Sequence, residues 1–132
     1  MSGAREQGLA VLKKLLPDLP FRDDGGLPVS HRFAAGLGEQ SLECVFGQVW
    51  PRPALDWRSR SLVTLGILIA LRAESELRLH FPIALRNGVT REELEEVIYH
   101  AAAYAGYPAA TAAARIGEEV LDSDGDGDGF AD

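Results

Sequence analysis

The sequence predicts an all-α protein of about six helices. Apolar residues recur at helical spacing in six segments bounded by capping or helix-breaking residues, and no stretch alternates convincingly as a strand. The 132 residues suit one domain, and 46% hydrophobic with 25% charged residues is typical of globular proteins. We therefore expect a single domain over residues 1–121, followed by an acidic Asp/Gly tail over residues 122–132.

The first two helices are expected on either side of a turn-rich loop. Leucines at helical spacing predict a helix over about residues 4 to 16, which Pro17 and Pro20 end. Residues 21–30 contain Asp-Asp-Gly-Gly and a proline, which is the chemistry of turns. A second helix is expected over about residues 30 to 49, although two glycines weaken its first half.

Asp56 predicts the start of a third helix, because its side-chain oxygen can accept hydrogen bonds from the free backbone N–H groups of a first turn. This helix is expected to reach about Ala73 and is apolar nearly all round. Its longest apolar run, residues 62–71, is well short of the ~20 residues that cross a bilayer, so we expect no membrane partner. Apolar residues on every side indicate that a neighbouring subunit covers part of the helix.

A fourth helix is predicted to begin at Glu74 and to end at Asn87-Gly88, which is a left-handed stop signal. Pro82 lies inside this segment. Because proline removes one backbone donor and clashes with the preceding turn, we expect either a kink or a later start of the helix.

Two more helices complete the predicted fold. Thr90 and Glu93 form a capping box that begins the fifth helix, and Pro108 is well placed as the first residue of a sixth helix that runs to about Leu121. Nine of the fourteen residues from 101 to 114 are alanine, so we expect this helix pair to pack closely, within or between subunits.

The charge distribution argues against nucleic acid as a partner. The formal net charge is −7, but five aspartates lie in the last eleven residues, and without them the net charge is −2. A nearly neutral body lacks the basic surface that phosphate backbones require. The single cysteine, Cys44, cannot form an internal disulfide, and the first residues lack the apolar run of a signal peptide, so we expect a cytoplasmic protein.

The acidic tail has some features of a calcium-binding loop. Asp122, Asp124 and Asp126 stand at alternate positions before a glycine, but the sequence ends one position before the bidentate acid that such a loop needs. Runs of like charge at a terminus are mostly solvated. We therefore predict no metal site, and these three aspartates are only a weak candidate for binding calcium.

Five motifs occur in unbroken order within about residues 43 to 121. They are Gly-Gln-Val-Trp-Pro-Arg-Pro-Ala-Leu at 47–55, Arg-Ser-Leu-Val-Thr at 60–64, Glu-Leu-Arg-Leu-His at 76–80, Arg-Asn-Gly-Val-Thr at 86–90 and Tyr-Ala-Gly-Tyr-Pro-Ala-Ala at 104–110. Together they resemble the carboxymuconolactone decarboxylase family. The resemblance implies an alkylhydroperoxidase D-like helical fold and a homo-oligomer, either a trimer or a hexamer.

A second branch of that superfamily carries a Cys-x-x-Cys pair with a histidine four residues later. The matching positions here are Ala73 and Glu76 ahead of His80, so both thiols of the disulfide redox chemistry are absent. Cys44 lies in a different predicted helix, and Ser61 stands where that branch tends to have glutamate. The sequence therefore argues against a peroxidase of this type.

The resemblance implies a decarboxylase that needs no cofactor and acts on a small anionic lactone like 4-carboxymuconolactone, in the β-ketoadipate pathway of aromatic compound catabolism. Such an enzyme must anchor carboxylates, stabilise a dienolate oxygen and reprotonate carbon. Arg52 and Arg60 match family positions and suit bidentate binding of carboxylates. His80 is the expected proton donor, because an unperturbed histidine has a pKa near ~6.5.

Other residues are assigned to the same site, and each has a structural alternative. Glu76 precedes His80 by one helical turn and is assigned with it to catalysis, although it is equally compatible with a solvated surface. Trp50 and Tyr104 are assigned to substrate binding, although a tryptophan at such a position more often belongs to the core and Tyr104 can simply fill space. The arginines near Asp56 can simply pair with that residue or with another subunit.

Gln48 is also assigned to substrate binding and marks a departure from the family. The family commonly has an acidic residue there, which can serve as a proton relay, whereas glutamine cannot ionise. An alternative function therefore stays open. In this alternative, the protein is a non-redox member of the same fold that has lost the decarboxylase reaction. It then either binds a small ligand or catalyses a different reaction.

Overall fold

The structure is a computed structural model that describes residues 3–28 and 32–124, with the side chains of residues 123 and 124 left out. Over this part of the chain every regular element is a helix, which confirms the all-α prediction. None of these helices is both long and apolar enough to cross a membrane. Contacts divide the chain into two compact units, residues 1–55 and residues 56–132. The prediction of a single domain over residues 1–121 stays a prediction.

The first unit is built on helix α1, Ala4–Leu15, which matches the predicted first helix. Helix α2 is a short α-helix, Leu37–Ser41, and it continues into a π-helical turn, Leu42–Phe46. Glycine permits close packing of α1 against this turn. A Cβ atom added at Gly8 would lie 2.3 Å from the Leu42 carbonyl oxygen, so a larger residue there would push the two segments apart.

The predicted bounds of the second helix are wrong at both ends. In the described residues the α-helix begins at Leu37 rather than near residue 30, and the helical backbone ends at Phe46 rather than near residue 49. Ala34 has φ of 54°, a left-handed conformation that interrupts a right-handed helix at its expected start. The predicted start itself, residues 29–31, lies outside the described residues.

The described residues of the second unit, 56–124, form four helices. They are α3 Trp57–Leu71, α4 Glu74–Arg86, α5 Arg91–Ala105 and α6 Tyr107–Asp124. Side chains from all four form one apolar core, in which Phe81, Leu65, Ile69 and Ala113 are fully buried. Burial of this apolar surface is the main stabilising term of the unit.

The caps predicted from sequence hold the ends of these helices. The Asp56 carboxylate accepts a hydrogen bond of 2.7 Å from the Ser59 backbone N–H, as the predicted N-cap of α3 requires. At the start of α5, the Glu93 backbone N–H donates to Thr90 Oγ1 at 3.0 Å, and the Thr90 N–H donates to Glu93 Oε1 at 2.9 Å. Gly88 has φ of 98°, which fits the predicted left-handed stop.

Helix α4 begins at Glu74, as predicted, with Pro82 inside it. Of the two effects expected of this proline, the later start is excluded and the kink stays a prediction. The sixth helix differs slightly from its predicted bounds. Helix α6 begins at Tyr107, one residue before Pro108, and extends past Leu121 to Asp124. The first helical turn tolerates proline because its N–H groups have no partner within the helix.

The described part of the chain does not cover helix α3 on every side. Leu65 and Ile69 are fully buried, whereas Val63, Ile67 and Leu71 are 54%, 53% and 70% exposed. The α3 stripe, Val63–Ile67–Leu71, thus presents apolar side chains at helical spacing. The prediction that another subunit covers this helix stays a prediction.

Candidate active site

His80 is the buried titratable group at the centre of α4. Its residue surface is 9% exposed, and its Nδ1 atom is buried with no hydrogen-bond partner among the described residues. Burial lowers the pKa of His80 from its usual 6.5 to about 4, because a low-dielectric environment disfavours the imidazolium. At neutral pH the imidazole is therefore neutral, which corrects the expectation of an unperturbed pKa.

The sequence explains why this histidine is buried. His80 lies between Leu77 and Ala84 at helical spacing, and both of those residues are buried in the core. Glu76, one turn before His80, is exposed, and the buried Nδ1 atom of His80 makes no hydrogen bond to it. The two residues that were assigned to catalysis are thus on one helix but in different environments.

Pro82 affects the backbone next to His80. Because proline has no N–H, it cannot donate the helical hydrogen bond to the carbonyl of Arg78 one turn earlier. The Arg78 guanidinium is anchored elsewhere, since its Nε donates to Glu119 Oε2 of α6 at 3.0 Å. This ion pair is exposed, with 41% and 56% of the two side chains accessible, so the α4 turn that carries His80 is supported mainly by the packing of its buried residues.

The start of α3 carries the predicted arginine of the second unit. Arg60 is half-buried, and its backbone carbonyl accepts a hydrogen bond of 2.7 Å from Thr64 Oγ1. Arg58, two residues earlier, does not pair with Asp56. Its guanidinium instead forms an ion pair with Glu93 and donates to the Gly88 carbonyl oxygen at 3.4 Å.

Sequence reasoning missed a polar pair that joins α3 to the end of α4. Asn87 Nδ2 donates to Ser61 Oγ at 3.0 Å, and Ser61 is 1% exposed. The stop signal at Asn87 was visible in the sequence, but nothing in a linear pattern indicated which buried group its side chain would reach. We assign this pair to holding the two helices in place.

Three predicted substrate-binding residues lie in the first unit, just after the π-helical turn. Trp50 is 4% exposed, and its ring lies 6.2 Å from the Phe46 ring, centre to centre, at an interplanar angle of 24°. Gln48 and Arg52 are exposed. The segment after the π-helical turn thus holds one buried aromatic side chain and two accessible polar ones, which is an arrangement that can present polar groups to a ligand.

Tyr104 lies near the end of α5 and is 84% exposed. Its ring is 5.1 Å from the His100 ring, centre to centre. Both residues line an open groove between α3 and α5 that also includes Leu62, Gly66 and Ala70. In this chain Tyr104 therefore faces the surface rather than the core around His80.

The structure thus describes the predicted site in two parts. His80, Glu76, Arg60 and Tyr104 belong to the second unit, and Gln48, Trp50 and Arg52 belong to the first. Their convergence on one ligand stays a prediction.

Of the three aspartates that were the weak candidates for a metal site, the structure describes the side chain of Asp122 alone. Asp122 is helical, and its carboxylate forms an ion pair of 2.9 Å with Arg91. The side chain of Asp124 and all of Asp126 lie outside the described residues. Over the described residues, no group of three His, Cys, Asp or Glu side chains is arranged to hold a metal ion.

Residues 35–119 match the profile described as the carboxymuconolactone decarboxylase family. Over 76 residues, 58% of this chain, the sequence is 50% identical to 4-carboxymuconolactone decarboxylase of Acinetobacter baylyi. Over 83 residues, 63% of the chain, it is 42% identical to nitrosuccinic acid decarboxylase npaB of Metarhizium robertsii. It is also 35% identical over 81 residues, 60% of the chain, to an uncharacterized 15.0 kDa protein of Paracoccus denitrificans. These matches cover 57%, 58% and 60% of the respective relatives, less than two thirds of each.

Proposed function

This chain belongs to the carboxymuconolactone decarboxylase family, and from that premise we propose that it is a carboxy-lyase that needs no cofactor. Two relatives at 50% and 42% identity are named as decarboxylases of small acids, which supports this reaction class. The proposed substrate is a small anionic lactone of the 4-carboxymuconolactone kind, as in aromatic compound catabolism through the β-ketoadipate pathway.

His80 carries the proposal, because its buried Nδ1 atom has no hydrogen-bond partner among the described residues. A buried polar atom without a partner costs stability, so its retention favours a role with a ligand. In the proposed reaction the bond to one carboxylate breaks, carbon dioxide leaves, and the electron pair delocalises into the lactone carbonyl. A proton from the imidazolium of His80 then adds to carbon and leaves the neutral imidazole.

The lowered pKa of His80 places a condition on this step. An imidazole with a pKa of about 4 holds almost no proton at pH 7, so the free protein is not ready to donate one. Carboxylates of a bound substrate favour the imidazolium and raise the pKa of the histidine. We therefore propose that His80 takes up its proton when the anionic substrate binds.

The remaining assignments follow from charge and position. Arg60 and Arg52 are proposed to bind the substrate carboxylates, since a guanidinium suits bidentate contacts with carboxylates. Exposed Glu76 is proposed to supply protons from solvent to His80. Trp50, Gln48 and Tyr104 are proposed to contact the substrate.

The apolar α3 stripe supports the proposed homo-oligomer, either a trimer or a hexamer in a cytoplasmic setting. Three large side chains that are at least half exposed at helical spacing are unfavourable in water. Light scattering of dilute protein should give a multiple of the chain mass. A monomeric mass would overturn the oligomer.

The second candidate function rests on Gln48. It is exposed and cannot ionise, so a relay that depends on a carboxylate at this position is absent. The chain would then bind a small anion without decarboxylating it, or would act on a different acid.

Loss of the ultraviolet absorbance of 4-carboxymuconolactone tests both candidates. Turnover by the wild type supports the decarboxylase. If the wild type is inert and Gln48→Glu turns over the lactone, the second candidate is correct, because the fold retains the site and lacks only the acid. If both proteins are inert, this lactone is not the substrate of the fold.

A further inference from the structure

His80 and Tyr104 lie on helices that are separated within the second unit. Helices α3 and α6 each pack against both α4 and α5, whereas α4 and α5 are not a closely packed pair among the described helices. His80 of α4 is 9% exposed, and Tyr104 of α5 is 84% exposed and lines the groove between α5 and α3. Within one chain, α3 and α6 therefore separate Tyr104 from a substrate that is held at His80.

Helix α3 has three neighbouring faces that matter for this separation. Ser61 accepts a hydrogen bond of 3.0 Å from Asn87 Nδ2, so one face is turned towards α4. A second face lines the α5 groove, the open groove that α3 forms with α5, through Leu62, Gly66 and Ala70. Between them lies the α3 stripe, which Arg60 extends by one helical turn. The arginine that is proposed to bind a substrate carboxylate is thus at one end of an exposed apolar surface.

The α3 stripe and the α5 groove have complementary shapes. The stripe consists of large side chains that are at least half exposed, and the groove contains the small residues Gly66 and Ala70. Glycine is unfavourable in the middle of a helix, yet Gly66 has no positive φ, and a Cβ atom added there would meet nothing within 4 Å. Nothing among the described residues therefore requires this glycine, whereas the close approach of a helix from a second copy would.

The same two surfaces carry opposite charges. Arg72 directly follows the last residue of the stripe, is exposed, and forms no ion pair with any described residue. Its φ of 58° favours glycine, so the backbone does not select arginine at this position. Glu96 lines the groove, is exposed, and also forms no ion pair with the described part of the chain. A second copy of this chain therefore matches the groove in charge as well as in shape.

We propose that one copy of the chain inserts its α3 stripe into the α5 groove of a receiving copy, and that Tyr104 of the receiving copy contacts the substrate held by Arg60 and His80 of the inserted copy. The inference rests on the proposed decarboxylation and adds that no single chain contains a complete site. The phenol of Tyr104 donates a hydrogen bond to an oxygen of the bound substrate. A contact between two different surfaces is head to tail and closes as a ring, as in the proposed trimer or hexamer.

Mixed oligomers of two impaired variants test the shared site. Tyr104→Phe removes one hydrogen bond and should lower turnover by about tenfold, and His80→Asn should lower it by about 10²-fold or more. When the two variants are co-expressed, roughly one quarter of the sites combine an intact His80 with an intact Tyr104 of the neighbouring chain, so turnover should recover to about a quarter of that of the wild type. Tyr107→Phe, at a 76% exposed tyrosine outside the groove, is the control and should keep wild-type turnover.

The outcomes of the mixing experiment separate the two proposals. If both residues serve the same chain, the mixture does not exceed the turnover of Tyr104→Phe alone, and that result overturns the shared site. Wild-type turnover of Tyr104→Phe would also overturn it. If the wild type is inert on the lactone, the proposed function fails together with the Tyr104 contact, and the mass measurements below decide the interface.

The interface is tested without a substrate. Gly66→Leu fills the groove and should reduce the mass in dilute solution to that of one chain, as measured by light scattering, while circular dichroism checks folding. Gly36→Leu is the control and should keep the wild-type mass, because an added Cβ atom there also meets nothing within 4 Å and the residue is in the first unit. A wild-type mass for Gly66→Leu would mean that the groove is not an interface and would overturn the proposal.

A charge exchange keeps the test decisive should Gly66→Leu fail to fold. Glu96→Arg brings two cations together at the contact and should weaken association by about tenfold, and adding Arg72→Glu should restore most of it. If the double variant associates no better than Glu96→Arg alone, these two residues do not meet across the interface, and the proposed insertion of the stripe into the groove is wrong.

Discussion

Two polar regions of the second unit differ in whether their hydrogen-bonding groups have partners. At the helix-end cluster, formed by Arg58, Ser61, Asn87, Thr90 and Glu93, side chains of α3 and α4 and the cap of α5 bond to one another. Around His80, two turns before Asn87 on the same helix, the buried Nδ1 atom has no partner among the described residues.

The contrast separates groups that hold the fold from a group that is available to a ligand. Paired polar groups add modestly to stability, whereas a buried group without a partner reduces it. The pKa values follow the same division. Hydrogen bonds from the Thr90 backbone and the Arg58 guanidinium lower the pKa of Glu93, whereas burial alone lowers the pKa of His80.

The largest expected effect is on turnover at His80. Replacement by asparagine keeps a polar side chain but removes the titratable proton, so turnover should fall by about 10²- to 10⁴-fold. Steady-state kinetics on a substrate that the wild type turns over measures turnover, and urea unfolding of both proteins measures whether the substitution changes stability. His100→Asn, at the exposed histidine of α5, is the matched control and should keep wild-type turnover. Equal turnover of His80→Asn and the wild type would remove the proposed difference between the two regions.

The pH dependence of stability is the next largest effect. The unfolded chain binds a proton at His80 near pH ~6.5 and the folded chain near pH 4, so the unfolded state holds more protons between these values. The free energy of unfolding should therefore fall as the pH drops through this window, by about 3 kcal/mol in total at this site. Above pH ~6.5 the contribution is constant.

Urea unfolding of the wild type and of His80→Asn at pH 7 and pH 4 isolates the contribution of His80 to the pH dependence of stability. The carboxylates contribute equally to both proteins, so the loss between the two pH values should be smaller for the variant. Equal losses would show that His80 titrates normally in the folded protein.

An intermediate effect on the free energy of unfolding is expected at the helix-end cluster. Asn87→Ala removes the donor to Ser61 Oγ, a buried hydroxyl, and should lower the free energy of unfolding by about 1 to 3 kcal/mol. Ser61→Ala together with Asn87→Ala should recover part of that loss, since the buried Ser61 hydroxyl that Asn87→Ala leaves without its donor is then absent. If the double variant is less stable than Asn87→Ala, the pair is not what holds these helices together.

The smallest effect is expected for Arg58→Ala. The ion pair with Glu93 is accessible to solvent, with 41% and 43% of the two side chains exposed, so water and salt weaken it. Thermal unfolding should show a smaller loss than for Asn87→Ala, and the loss should shrink further in high salt. A loss larger than that of Asn87→Ala would mean that the exposed part of the cluster dominates its stability.

Local signals in the sequence predicted the helices of the second unit well. Asp56, the Thr90–Glu93 capping box and Gly88 act within one or two turns of the chain, so the residues that determine a helix end are neighbours in sequence. The second helix was predicted less well. No local pattern indicated the left-handed conformation of Ala34, and the π-helical turn after α2 packs closely against Gly8 of α1, which is far from it in sequence.

For the site, the sequence by itself determined which residue types stand in the family's motifs, including His80, Arg60 and Gln48. The tertiary structure alone decided their environments. It showed that His80 is buried with a pKa of about 4, that Glu76 and Tyr104 are exposed, and that Arg58 pairs with Glu93 rather than with Asp56. The physical reason is that burial and pairing depend on groups 30 or more residues away in sequence, as Arg58 and Glu93 are, which only the packing of the helices brings together.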